Sequence, residues 1–133
     1  MIMNIPEKVL NLLNDQAASK VLTTVAADGI PHSIVVGSIM APNAETLCAA
    51  EMLMKKTAEN LKTNKDVAVL AVKGMESYLV NATVVERQTE GELFARISEQ
   101  MQKSGLPMKA LWIFQPNAIF DQSAGPNAGT QIL

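Results

Sequence analysis

Few side chains here are equipped to do chemistry unaided. Among 133 residues there is one cysteine, Cys48, and one histidine, His32. A lone cysteine excludes an intrachain disulfide and is compatible with a reducing compartment. No Cys/His group has the spacing of a metal site, and the chain holds no Gly-x-Ser-x-Gly elbow, Walker-type loop or Gly-x-Gly-x-x-Gly turn. His32 stands at a hairpin exit, where a surface or strand-end role is the simpler reading. Arginine is scarce as well, with Arg87 and Arg96 the only two. A net charge of -2 leaves no electrostatic case for nucleic acid, which calls for a basic face. The longest apolar run, Val67 to Val72, is far too short to span a bilayer, and no charged-then-apolar stretch opens the chain. A soluble cytoplasmic protein is the expectation. Any catalysis is then expected to come from a bound cofactor.

What is present suits one domain with a real core, since 48% of the residues are hydrophobic. Ile5 to Asp15 reads as a short amphipathic helix with Val9, Leu12 and Leu13 on one face, a lid for a sheet or barrel. Val21 to Ala26 and Ile34 to Met40 are rich in β-branched residues, and Asp28-Gly29 between them is a hairpin signal. Gly37, inside the second of these strands, marks either a bulge or a place where a ligand lies against the backbone. Pro42 to Glu45 reads as a turn into a third strand, Thr46 to Glu51. Ala49 and Ala50 in that strand leave room for a flat ligand or for a neighbouring helix.

Asp66 to Val72 reads as a central strand, apolar on both faces, and Ser77 to Glu86 as another. Thr89-x-x-Glu92 has the spacing of a capping box for a helix bearing Leu93, Ile97 and Met101, stopped by Gly105 and Pro107. Lys109 to Phe114 forms a last strand that resumes at Ala118 to Phe120, and the tail from Asp121 to Thr130 reads as a loose end. Six or seven short, mostly antiparallel strands with peripheral helices predict a mainly β, closed or partly closed barrel.

The stretch with the most chemical character is Lys55-Lys56-Thr57, where a strand delivers two cations to the start of a helix that Asn64 closes. A helix start offers unpaired N–H groups and a positive dipole end, so this is either a phosphate seat or a solvated turn.

Asp28-Gly29-Ile30-Pro31-His32, the small-residue strand, Lys55-Lys56-Thr57 and Asn64-Lys65-Asp66-Val67-Ala68-Val69-Leu70 follow one another in an order that resembles the FMN-binding split barrels. This is the superfamily of pyridoxamine 5'-phosphate oxidase, and the likeness is greatest to its short FMN-binding members. The similarity covers nearly the whole chain, and the tail Gly125 to Gly129 also resembles endings seen in some members. The resemblance implies that Lys55 and Lys56 hold the FMN phosphate with help from Thr57, and that Val35, Val36, Gly37 and Ser38 run along the flavin through backbone groups. It further implies that Ala49, Ala50 and Glu51 line the ring, and that Ser77 reaches the phosphate end from the other subunit of a homodimer with flavin in its interface.

Full-length oxidases of this kind end in an arginine- and histidine-bearing segment that holds the substrate phosphate. This chain has no arginine after Arg96 and no histidine after His32, which argues against vitamin oxidation itself. The expectation is a homodimeric FMN flavoprotein that transfers electrons to or from a small molecule. The alternatives are a non-enzymatic module binding haem, a deazaflavin or a phosphorylated metabolite, and a barrel without a ligand.

Overall fold

The computed structural model describes residues 3–133. Helix α1 (Glu7–Leu13) leads into a hairpin of β1 (Ser19–Val25) and β2 (Pro31–Val35), followed by β3 (Met40–Asn43), β4 (Thr46–Glu51) and α2 (Lys56–Thr63). Then come β5 (Asp66–Lys73), β6 (Glu76–Gln88), α3 (Glu92–Met101) with a 3-10 turn at Gln102–Ser104, β7 (Ala110–Asp121) and β8 (Thr130–Gln131). All pairings are antiparallel, in the order β2-β1-β5-β6-β7-β4-β3, with β8 added to β7. The two strands at the ends of this path, β2 and β3, are consecutive in the chain and separated by residues 36–39 only. So short a link cannot cross a flat seven-strand path at about 4.8 Å per strand, so the sheet rolls until its edges meet. The result is a split barrel, as the sequence predicts.

Hydrogen bonds stitch the seam. The Val36 N–H donates to Lys20 O (2.9 Å), the Lys20 ammonium to Ile39 O (3.2 Å), and the Ser38 hydroxyl both accepts from Ala50 N–H (3.0 Å) and donates to Ala50 O (3.3 Å). The barrel interior holds Leu22, Leu47, Val69, Val80, Phe114 and Ile119, all essentially inaccessible, and α1 closes one end with Val9, Leu12 and Leu13. A smaller cluster of Cys48, Ile97, Leu111 and Ile113 lies on the other side of β4 and β7, beneath α3.

Several local expectations are corrected. The strand expected over Ile34 to Met40 is broken: Gly37 and Ser38 form a turn, because the chain must cross there from one sheet edge to the other. Pro42 and Asn43 belong to β3, an edge strand on which proline's missing N–H is tolerated, so the turn is confined to Ala44 and Glu45. Thr89 does not cap α3. The residue before that helix is Gly91, with φ +112°, a conformation disfavoured for L side chains, and no side-chain cap bond forms. β5, by contrast, is the expected central strand, paired with β1 and β6 and apolar on both faces, with Val67, Val69 and Ala71 buried and Ala68, Leu70 and Val72 half-buried on the outer face. The tail is not loose: Gln122 N–H donates to Ser77 O (2.8 Å), Ala124 N–H to Met75 O (2.9 Å), and Ile119 exchanges backbone bonds with Ile132 and Leu133.

The edge strand β3 is also held by a side chain. The Asn14 amide donates to Ala41 O (3.0 Å) and accepts from Ala41 N–H (2.8 Å), mimicking a strand partner. Replacing Asn14 by Ala is expected to cost roughly 1–2 kcal/mol in urea unfolding, two ordinary hydrogen bonds' worth. No change in midpoint would show that this clamp does not hold the edge.

Candidate functional site

A groove of about 360 Å³ opens beside the seam, within the size range of small-molecule sites. One wall is the end of β2 and the crossover turn, from Ile34 to Ser38. The other is Ala50 with the loop Met52-Leu53-Met54, and Met101 at the end of α3 and Ser104 in the 3-10 turn after it close the groove. The Ser38–Ala50 bonds fix the spacing of the walls, so the turn presents Gly37 to the groove.

Gly37 is informative because this chain gives no reason for it to be glycine. The other six glycines all have positive φ, whereas Gly37 does not, and a Cβ built on it meets no atom within 4 Å. Neither backbone strain nor internal crowding selects the missing side chain. Close approach of a bound molecule would.

The second wall continues into α2. Met54 is followed by Lys55, the residue before the helix, then Lys56 and Thr57 in its first turn. Both lysines are exposed, and no side chain caps the helix start, so its first N–H groups and positive dipole end are free to meet an anion. The Thr57 hydroxyl is buried without a hydrogen-bond partner among the described residues. Asn60 anchors the helix by donating to the Thr24 hydroxyl (3.0 Å).

Thus Val35, Val36, Gly37, Ser38 and Ala50 come together in one groove, with Lys55, Lys56 and Thr57 directly beyond it in the chain. Ala49 points the other way, into the barrel core opposite Trp112, because alternate strand residues face opposite sides. Ser77 lies apart at the start of β6. Its backbone is tied to Ser123, and its buried hydroxyl has no partner among the described residues. Sequence reasoning missed Met52, Leu53, Met54 and Met101, although three apolar residues between β4 and a basic pair were a readable signal of a lined cleft.

The carboxylate of Glu51 is already engaged. It accepts from Arg87 Nε (3.2 Å) and Nη2 (3.0 Å) and from Trp112 Nε1 (2.8 Å), and Arg87 stacks over the Trp112 ring. Burial pushes its pKa up, but the bonds from Arg87 and Trp112 and the charges of Arg87 and Lys62 outweigh that and hold it below the ordinary value. Cys48 is inert by contrast, its thiol pushed up to about 12 by burial. Among the described residues no group of three or more His, Cys, Asp and Glu side chains could hold a metal, and no helix is long and apolar enough to cross a membrane.

Residues 5–123 match the pyridoxamine 5'-phosphate oxidase family. The chain belongs to that family. Its fold is similar to that of Group A Streptococcus HupZ, at 27% identity and a TM-score of 0.79 over 94% of this chain and 99% of the other. It is also similar to an FMN-binding protein from Syntrophomonas wolfei subsp. wolfei, at 22% identity and a TM-score of 0.83 over 90% of this chain and 87% of that one. HutZ, the heme storage protein from Vibrio cholerae, shares the fold at 19% identity and a TM-score of 0.65, covering 91% and 97% of the two chains. No curated protein sequence matches this family member significantly.

The Glu51 cluster has a defined pH signature. A carboxyl whose folded pKa is depressed adds stability above its unfolded value of about 4.3, and that stability disappears as pH falls through the folded value. Glu51→Gln is therefore expected to be less stable than wild type at pH 7, by about 1–3 kcal/mol. The gap should close between pH 4.3 and lower pH, measured by denaturant unfolding across that range. A gap independent of pH would remove the charged network from the account.

Proposed function

We propose that this protein binds FMN as a homodimer and acts in electron transfer or small-molecule reduction. The observation that carries the reading is the groove over an otherwise unexplained Gly37, whose wall runs straight into the basic, uncapped start of α2. The residues suit the cofactor. Lys55, Lys56 and the α2 N–H groups would take the phosphate, which carries nearly two negative charges, with the unpartnered Thr57 hydroxyl beside them. The backbone of Val36, Gly37 and Ser38, with Ala50 opposite, would take the ring. Bound flavin supplies one- and two-electron chemistry; the chain supplies binding, orientation and exclusion of water. Glu51 would act through its backbone or as support, its carboxylate being committed to Arg87 and Trp112.

A second copy fits the surface chemistry. Val35 and Leu53 on the groove's rim are 69% and 73% exposed, and the outer sheet face carries Leu70, Val72 and Leu79. Contiguous apolar surface of this kind marks interaction sites. The partner would cover the rim and bring its own buried Ser77 hydroxyl towards the phosphate end.

Purified protein is expected to be yellow, with flavin absorbance. A colourless protein that ignores added FMN would refute the reading, and a Soret band would reassign it to haem. Lys56→Ala is expected to weaken FMN about ten- to a hundredfold, the loss of one charge-assisted contact, and riboflavin hardly at all. Equal losses for both ligands would remove Lys56 from the phosphate seat. Light scattering with flavin titration is expected to give a dimer with two equivalent sites, and a monomer binding with full affinity would contradict the shared interface.

A further inference from the structure

Helix α3 closes the groove with one end and leaves its outer side uncovered. Two adjoining hollows of about 610 and 490 Å³ run along that side, joined at Ser98 and Gln102, and both are more open to solvent than the groove. At one end lie Thr89, Glu90 and the half-buried Phe94. At the other, the return loop Leu106-Pro107-Met108 forms an apolar wall, with Leu106 38% exposed. A cleft this open suits side chains presented by another protein rather than an enclosed small molecule.

The charge along this cleft has one sign. Glu90 and Glu99 line it and no lysine or arginine does. Neither carboxylate belongs to an ion pair among the described residues, since those pairs are Lys73–Asp15 and Arg87–Glu51. The neighbouring cations are committed or turned away. Arg87 is bound to Glu51, and Arg96 and Lys103 line a recess on the other side of α3, towards α1 and β3. Glu99 stands at helical spacing from both of these and pairs with neither. Phe94 falls between the two glutamates in the chain and lines the same hollow. An aromatic ring edged by carboxylates attracts a cationic side chain through its quadrupole and through charge.

We infer that the outer side of α3 docks a helix of another protein, one that carries a lysine or arginine to seat against Phe94, Glu90 and Glu99 and, two turns away, an apolar side chain to meet Leu106, Pro107 and Met108. The spacing comes from α3 itself, because the eight residues from Phe94 to Gln102 span about 12 Å, roughly two turns of a partner helix. Charge selects the occupant. A second copy placed two-fold on this cleft would set its glutamates against their own kind, and an anionic lipid surface would be repelled. No residue of the cleft belongs to the groove or to the start of α2, so the inference does not rest on the flavin reading. Met101 and Ser104 close the groove from the same helix and turn, so the docked partner would lie alongside that site.

The test titrates the full-length protein with an amphipathic peptide of leucine and lysine, about 18 residues or five helical turns long, and with a matched peptide of leucine and glutamate. Amide shifts by NMR locate the binding, and fluorescence anisotropy of the labelled peptides measures it. Saturable binding of the lysine peptide is expected, with shifts over residues 89–108, and the glutamate peptide is expected to bind about tenfold more weakly. Glu90 and Glu99 are exposed, so the double variant Glu90→Lys, Glu99→Lys is expected to fold normally and to reverse that preference. Leu106→Ser is expected to weaken both peptides alike. Shifts centred on Val35 and Met52–Met54 or on the outer sheet face, equal binding of the two peptides, or an unchanged preference in the double variant would each overturn the proposal. So would self-association in light scattering that perturbs the same α3 amides, which would give the cleft to a second copy.

Discussion

Closure of the sheet at residues 36–39 is the constraint on which everything else rests. A four-residue crossover draws the two sheet edges together, and the bonds from Val36, Lys20 and Ser38 hold it there. Because the crossover is a turn rather than a strand, its backbone faces outward beside β4 and makes one lip of the groove. Stability and recognition therefore draw on the same few groups, and Ser38 serves the fold before it serves any ligand.

The scaffold's division of labour follows from strand geometry. In β4, Leu47 and Ala49 fill the barrel, while Cys48 sits beneath α3 and Ala50 beside the groove. A single strand thus contributes to the core, to helix packing and to the site. Glu51 ends the strand with its charge bound by Arg87 and Trp112, which ties β4 to β6 and β7 and sets where the Met52–Met54 loop departs. Pairing a buried carboxylate with a fork-shaped cation and an indole N–H satisfies it without water. That leaves the loop free to carry apolar side chains.

Much of this was readable from the chain. The Asp28-Gly29 hairpin, β4 and α2 obey local rules, turn chemistry and helix ends, that tertiary contacts did not override. The continuous strand over Ile34 to Met40 was misread because β-branched residues report extended backbone, not the need to cross between sheet edges. The Thr89 box failed because a glycine two residues later offered a sharper turn. The tail looked loose by composition, yet its backbone groups meet those of Met75, Ser77 and Ile119, partners distant in sequence and invisible to local pattern. At the site, assigning both Ala49 and Ala50 to one wall conflicted with the two-residue period of a strand. The Met101 wall of the groove was beyond reach of sequence reasoning, since that residue meets Gly37 and Ala50 only after folding.

The distribution of sulfur has a chemical consequence. Cys48 is kept as a neutral thiol under α3, whereas Met52, Met54 and Met101 surround the groove. Peroxide reaching the groove would encounter thioethers long before a thiolate. Conversion to sulfoxide would turn soft apolar walls into polar, chiral ones. Oxidative damage to this barrel would therefore register first as altered ligand affinity, reversible by sulfoxide reductases, and not as a crosslink.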